Sequence, residues 1–203
     1  MPALIHYPYG MELMTAFILC VAGYMSGSVL FAPLVCRLLN APPPHLYGSH
    51  NPGTTNVYRI AGPGPALLTL VGDAFKGWLP VMLAVQLNTS PLTQAAVALC
   101  AIMGHMVPLF SRFRGGKGVA TTAGAGLAMA AATTLTLALV WLLLFRRFRI
   151  ASLASIGAAI AAPFISYWLN PESVVVFIAI AVALLARHHD NIRRLFQGHE
   201  HSF

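Results

Sequence analysis

The sequence predicts an all-α, polytopic membrane protein with about seven transmembrane helices, some of them short, an outside N-terminus and a cytoplasmic C-terminus. Three observations carry this expectation. Hydrophobic residues make up 58% of the 203 residues and charged residues only 8%, where soluble domains carry roughly 25% charged residues. Several apolar runs reach the roughly 20 residues needed to cross a bilayer. The few charges cluster between these runs. The chain therefore reads as one integral-membrane unit over residues 1–203, with residues 1–10 as an N-terminal extension and Met11 or Met14 as alternative starts. The first apolar run lacks a basic flank before it and reads as a retained span, not a cleaved signal.

Taken in order, Met14–Leu39 is the first expected span. Its Gly23-x-x-x-Gly27 pattern, with Ser26 and Ser28, is the small-residue spacing that lets helices approach closely. Residues 40–60 form a polar loop rich in Pro, Gly and Asn. Gly64–Leu87 and Leu92–Phe110 are the next spans, and Ile150–Leu169 and Ser173–Ala186 are later ones. The run 119–145 is either one long tilted helix or two short helices joined near Ala131–Thr134. Charge favours two. Basic residues gather on cytoplasmic loops, and only two helices return Arg146, Arg147, Arg149 and the C-terminal arginines to the side of residues 40–60 and 111–117. Each half would have about 13 residues, or about 20 Å of helix, short for a full span. A five- or six-span arrangement is the alternative.

The net charge of +7 would point to nucleic acid in a soluble protein. Here topology and anionic ligands account for it, and no nucleic-acid partner is expected. Cys20, Cys36 and Cys100 form no C-x-x-C pair and read as small core-filling residues.

The two-helix arrangement brings three polar segments to one membrane face. The first is "GSHNPGTTNVYR". Gly48 and Gly53 permit a tight backbone path. Ser49, Asn51, Thr54, Thr55 and Asn56 supply hydrogen-bonding groups, and Arg59 can grip a phosphate with two parallel bonds. The second contains "FRGGKGVATT". It is not a nucleotide P-loop, because Lys117 is followed by Gly118 and not by Ser or Thr. Even so, Gly115, Gly116 and Gly118 expose backbone amides where a helix begins, and free amides and the helix dipole favour an anion there. Lys117 adds a charge. His105, near the end of its span, could serve packing or hydrogen bonding. The third segment is "RHHDNIRRLFQGHE", in which His188 and Asn191 share a helical face with Arg194 on a nearby turn. Asp73 and Lys76, also three apart, read as a structural ion pair within their span.

Other chemistries are not expected. The sequence has no H-E-x-x-H, no close carboxylate pair for a metal and no G-x-S-x-G elbow. No histidine is followed by Asp after four intervening residues. No metal or cofactor is called for. A phosphate-ester transporter is the rival class, but its polar groups should lie near the midplane on broken helices of repeated halves. Here the charges sit at one face and no internal repeat is visible.

In order and spacing, "GSHNPGTTNVYR", "GDAFKG", "GHMVPLFSRFRGGKGVAT", "SLASI" and "RHHDNIRRLFQGHE" resemble the bacterial membrane acyl-phosphate:glycerol-3-phosphate acyltransferase (PlsY) family. The resemblance covers nearly the whole chain after the first few residues. It implies transfer of a fatty acyl group from acyl-phosphate to the 1-hydroxyl of glycerol 3-phosphate, giving lysophosphatidic acid and phosphate, the first acylation of phospholipid biosynthesis. It implies the bacterial inner membrane, an active site facing the cytoplasm, membrane lipid around the protein, and as partner the soluble enzyme that makes acyl-phosphate. The family's functional positions fall on Ser49, Arg59, Lys117, His188 and Asn191. Departures are His189 and Arg114, where a basic residue and a lysine are expected, and the lack of a proline in "AMAAATTLTL".

Overall fold

The computed structural model describes residues 9–203, among which ten α-helices and two 3-10 turns form. Most of the expected N-terminal extension lies outside the described residues. Met11 and Met14 both fall within the first helix, α1 (Tyr9–Ser28).

The first expected span is divided. The chain breaks after Ser28 and resumes as α2 (Phe31–Leu38). Pro33 is the cause legible in the chain. It lacks the N–H that a continuous helix would offer to the Val29 carbonyl, and its ring crowds that carbonyl. The freed oxygen accepts a hydrogen bond from Lys76 Nζ at 2.6 Å. Lys76 in turn pairs with Asp73 at 2.8 Å, both side chains being buried. The Asp73–Lys76 pair is thus structural, as expected, and its site of action is the break between two helices.

After the polar loop come α3 (Thr54–Ala61) and α4 (Pro63–Gln86). Ser90 caps α5 (Pro91–Met106) by accepting from the Thr93 amide at 3.3 Å. The run 119–145 is two helices, α6 (Val119–Met129) and α7 (Ala131–Phe148). The break falls at Ala130, one residue before the expected junction, and needs no proline. A Cβ at Gly126 would strike the Thr134 hydroxyl, so the missing side chain lets the chain double back. Then follow α8 (Ala151–Leu169), α9 (Val174–Arg187) and α10 (His189–Phe196).

Among the described residues, five helical segments are long and apolar enough to cross a membrane: α1, α4, α5 continued through the 3-10 turn to Ser111, α7 and α8. A sixth candidate is the segment Pro171–Arg187 with α10, bent by 62° between them. The seventh apolar helix, α6, has 11 residues and spans about 17 Å, well short of a bilayer core. Outward faces are apolar: Phe17, Leu135, Phe164 and Trp168 are all exposed. That is the surface of a protein whose solvent is lipid.

Small residues set the helix contacts. A Cβ at Gly27 would meet the Ala101 backbone, one at Gly77 the Thr121 carbonyl, and one at Gly124 the Ala74 carbonyl. Helices α1 and α5, and α4 and α6, therefore approach backbone to backbone. A core of Ile102, Met106, Phe177, Ile180 and Leu184 joins α5 to α9.

Candidate active site

The first segment is shaped by one side chain. Asn56 is fully buried on α3. Its Oδ1 accepts from the Ser49 amide at 2.8 Å, and its Nδ2 donates to the carbonyls of Pro44 and Tyr47 at 2.9 and 3.0 Å. Gly48 has φ +67°, and a Cβ there would strike Asn56 Oδ1. Asn56 was expected to bind ligand. Its amide is instead committed to the loop that presents Ser49. Arg59 stands exposed on the next turn, with its guanidinium 4.8 Å from the Phe203 ring centre and donating to the His201 carbonyl at 3.3 Å.

The glycine segment is stapled from a residue that sequence reading passed over. Arg187, at the end of α9, donates to the Gly115 carbonyl at 2.9 Å and to the Gly116 carbonyl at 3.0 and 3.2 Å. The Gly116 amide donates to the His105 carbonyl at 3.1 Å, so it is not offered to an anion as expected. These glycines serve close packing, since a Cβ at Gly115 would meet the His105 backbone and one at Gly116 its ring. Gly118 has φ +83° and starts α6 in the left-handed region, where a side chain is strained. Behind this loop, buried His105 faces Asp73 with its Nδ1 3.6 Å from the carboxylate.

Lys117 projects from the stapled loop. Burial lowers its ammonium pKa to about 8, with Arg194, Arg59 and Arg187 pushing the same way and Glu200 opposing. A poorly compensated cation of this kind is what an anionic ligand would complete.

In the third segment, His188 and Asn191 are both buried. The His188 Nδ1 lies 2.7 Å from the Leu184 carbonyl. A carbonyl only accepts, so Nδ1 carries the proton and Nε2 is left as an acceptor. Glu200, a second residue that sequence reading left unassigned, accepts from Asn191 Nδ2 at 2.6 Å, from Ser152 Oγ at 2.8 Å and from Arg194 Nε at 2.7 Å. Burial raises its pKa, but these hydrogen bonds outweigh burial and hold it below the usual carboxylate range. One of only two acids in a basic tail, with Asp190, was the available signal for Glu200. Nothing in the local sequence marked Arg187.

These segments line one partly open cavity of about 690 Å³, and every expected site residue lines it except Gly115 and Gly116. Its head is basic, with Arg59, Lys117 and Arg194. Its other arm runs between α7, α8 and α9 along Trp141, Ala158, Ala162, Phe177 and Ala181 and is apolar. Trp141 Nε1 donates to Ser155 Oγ at 2.9 Å, where the two regions meet.

Fold and cavity together define a class: a multi-pass membrane protein whose main cavity joins a basic head to an apolar cleft. The sequence profile of the glycerol-3-phosphate acyltransferase family matches residues 17–198. The chain belongs to that family and is an acyltransferase. It is 47% identical over 179 residues to a glycerol-3-phosphate acyltransferase of Hahella chejuensis (strain KCTC 2396), covering 88% of this chain and 92% of the relative. It is 44% identical over 186 residues to one of Actinobacillus pleuropneumoniae serotype 5b (strain L20), covering 92% and 95%. Its fold is similar to the crystal structure of PlsY (YgiH), an integral membrane glycerol 3-phosphate acyltransferase, in its glycerol 3-phosphate form. The TM-score is 0.87 at 35% identity, with 93% of this chain and 95% of that chain covered.

Proposed function

We propose that this chain transfers a fatty acyl group from acyl-phosphate to the 1-hydroxyl of glycerol 3-phosphate, at the cytoplasmic face of a bacterial inner membrane. The observation that carries this reading is the joining of Lys117, Arg59, His188 and Asn191 to an apolar cleft in one cavity. A substrate that is half phosphate and half hydrocarbon needs both parts. The similar solved PlsY structures, in glycerol 3-phosphate and lysophosphatidic acid forms, support the acceptor and the product.

Lys117 and Arg59 neutralise substrate phosphates, and Ser49 helps to bind one. His188 and Asn191 orient glycerol 3-phosphate and its attacking hydroxyl. The hydroxyl oxygen bonds to the acyl carbon as the bond from that carbon to the phosphate oxygen breaks. The hydroxyl proton leaves with the departing phosphate, and because the hydroxyl attacks the acyl carbon directly no enzyme nucleophile is used. The donor is already activated, and the main contribution of the protein is fixed charge and position. Acyl-phosphate would come from a soluble enzyme and insert its tail among the helices.

The orientation belongs to the same proposal. Arg187 reaches the glycine loop, Ser152 reaches Glu200, and the Phe203 amide donates to the Arg149 carbonyl at 2.8 Å. These contacts, with Arg59 on the His201 carbonyl, support one shared side for the basic segments, and the tendency of basic loops to stay inside supports the cytoplasmic one.

Purified protein in detergent, given palmitoyl-phosphate and glycerol 3-phosphate, should release phosphate and form lysophosphatidic acid. Detergent abolishes any gradient, so a transporter would be silent. No phosphate release, with product formed only from acyl-coenzyme A, would overturn the donor assignment.

A further inference from the structure

We propose that Phe177 of α9 and Ala162 of α8 form the floor of the apolar cleft and set the length of acyl chain that the enzyme accepts. This rests on the reading that the cleft holds the donor's tail.

Two helices independently give the cleft the same depth. On α8 the cavity wall starts at Ala151 and Ser152, beside the polar head, and its last residue is Ala162. From Ser152 to Ala162 is about 15 Å along the helix axis. On α9 the wall runs inward from His188 and ends at Phe177, about 16 Å away. Beyond these two residues the interior is filled. Phe177 is 1% exposed and Ala162 4%, and they belong to one packed cluster with Ala130, Ile102 and Met106. Ala130 is the break between α6 and α7, so the turn of that helix pair backs the floor.

The cleft exists because α8 turns alanines toward it. Ala158 and Ala162 are one turn apart, about 6 Å in depth, and a larger side chain at either would occupy volume that the tail needs. Phe177 is the reverse case, a large ring where a smaller residue would deepen the cleft. A tail that exceeds the space must bend or displace packed side chains, and one methylene too many in a close-fitting pocket costs roughly tenfold or more.

The test is a chain-length profile. Initial rates with saturating glycerol 3-phosphate are measured for a series of saturated acyl-phosphates, from short to long, with purified wild type and three variants. Ala162→Leu should lower kcat/KM for the longest donors about tenfold relative to the shortest. Ala158→Leu should move the cutoff to still shorter chains. Phe177→Leu should shift the profile the other way. This graded order, following depth along the helix, is not what a general loss of stability would produce, because that would scale every donor alike. The proposal is overturned if all donors change in parallel, if Ala158→Leu and Ala162→Leu give the same cutoff, or if the profiles stay at the wild-type shape. Wild-type turnover of acyl-phosphates with unmoved profiles sinks the floor and leaves the proposed function standing. If only the matching acyl-coenzyme A series, run in parallel, is turned over and its profiles shift, the reverse holds.

Discussion

At the scale of single residues, Lys117 is the most informative side chain. Its charge is held by a loop with few compensating anions, and its ammonium pKa falls to about 8 because of burial first and neighbouring cations second. The sign follows directly. The charged form predominates below about 8, so kcat/KM, which reports the free enzyme, should decline as pH rises through that value. Lys117→Arg should move this limb upward, out of the measured range, because a guanidinium stays protonated. Lys117→Ala should lower kcat/KM by about 100-fold or more, as for other fixed charge-stabilising groups. Near-normal turnover by the alanine variant would remove Lys117 from the mechanism. Asn56 teaches the complementary lesson. Its residue type and position promised ligand contact, yet three hydrogen bonds commit it to the backbone of its own loop.

At the scale of elements, the break between α1 and α2 shows how one proline is accommodated in a membrane interior. Pro33 strands the Val29 carbonyl, and Lys76 supplies the donor that water would supply elsewhere. Asp73 then balances Lys76. Lys76→Met should lower stability by about 3–5 kcal/mol, because it leaves a carbonyl unpaired and a buried carboxylate with only His105 beside it, 3.6 Å away. The double variant Asp73→Asn with Lys76→Met should recover part of that loss. Apparent melting temperatures in detergent read both, and equal melting of wild type and Lys76→Met would show that the break needs no donor. The division of 119–145 is the other decisive element. Charge distribution pointed to two helices, and Gly126 facing Thr134 supplies the means. The same division leaves α6 too short for an ordinary span, which is why the count of full-length candidates stops at five or six.

At the scale of the whole molecule, the C-terminal tail ties distant parts together. Glu200 joins Ser152, Asn191 and Arg194, and Phe203 packs edge-on against Tyr58 and Phe145. Glu200→Gln should destabilise the fold by about 2 kcal/mol at neutral pH through lost charge-assisted hydrogen bonds. The folded carboxyl titrates below its unfolded counterpart. Its stabilisation is therefore present above the unfolded carboxylate pKa and disappears as pH falls through the folded value. The gap in melting temperature between wild type and variant should close in acid, and a gap that persists there would assign Glu200 a role independent of its charge. Much was legible in the sequence by itself: an all-helical membrane protein, three polar segments on one face, and the residues that line the head of the site. The first two follow from composition, apolar run length and charge placement, which are local properties, and the site residues from the polar motifs and the family they resemble. The tertiary structure alone decided that Arg187 staples the glycine loop, that the Gly116 amide is already spent, that Asn56 shapes its loop, and that Glu200 sits within the basic head. Each depends on atoms more than five residues apart in the chain meeting within a hydrogen bond's length, and no local pattern specifies such a meeting. The depth of the apolar cleft has the same origin, since it is fixed by where α8 and α9 pack solidly against the turn at Ala130.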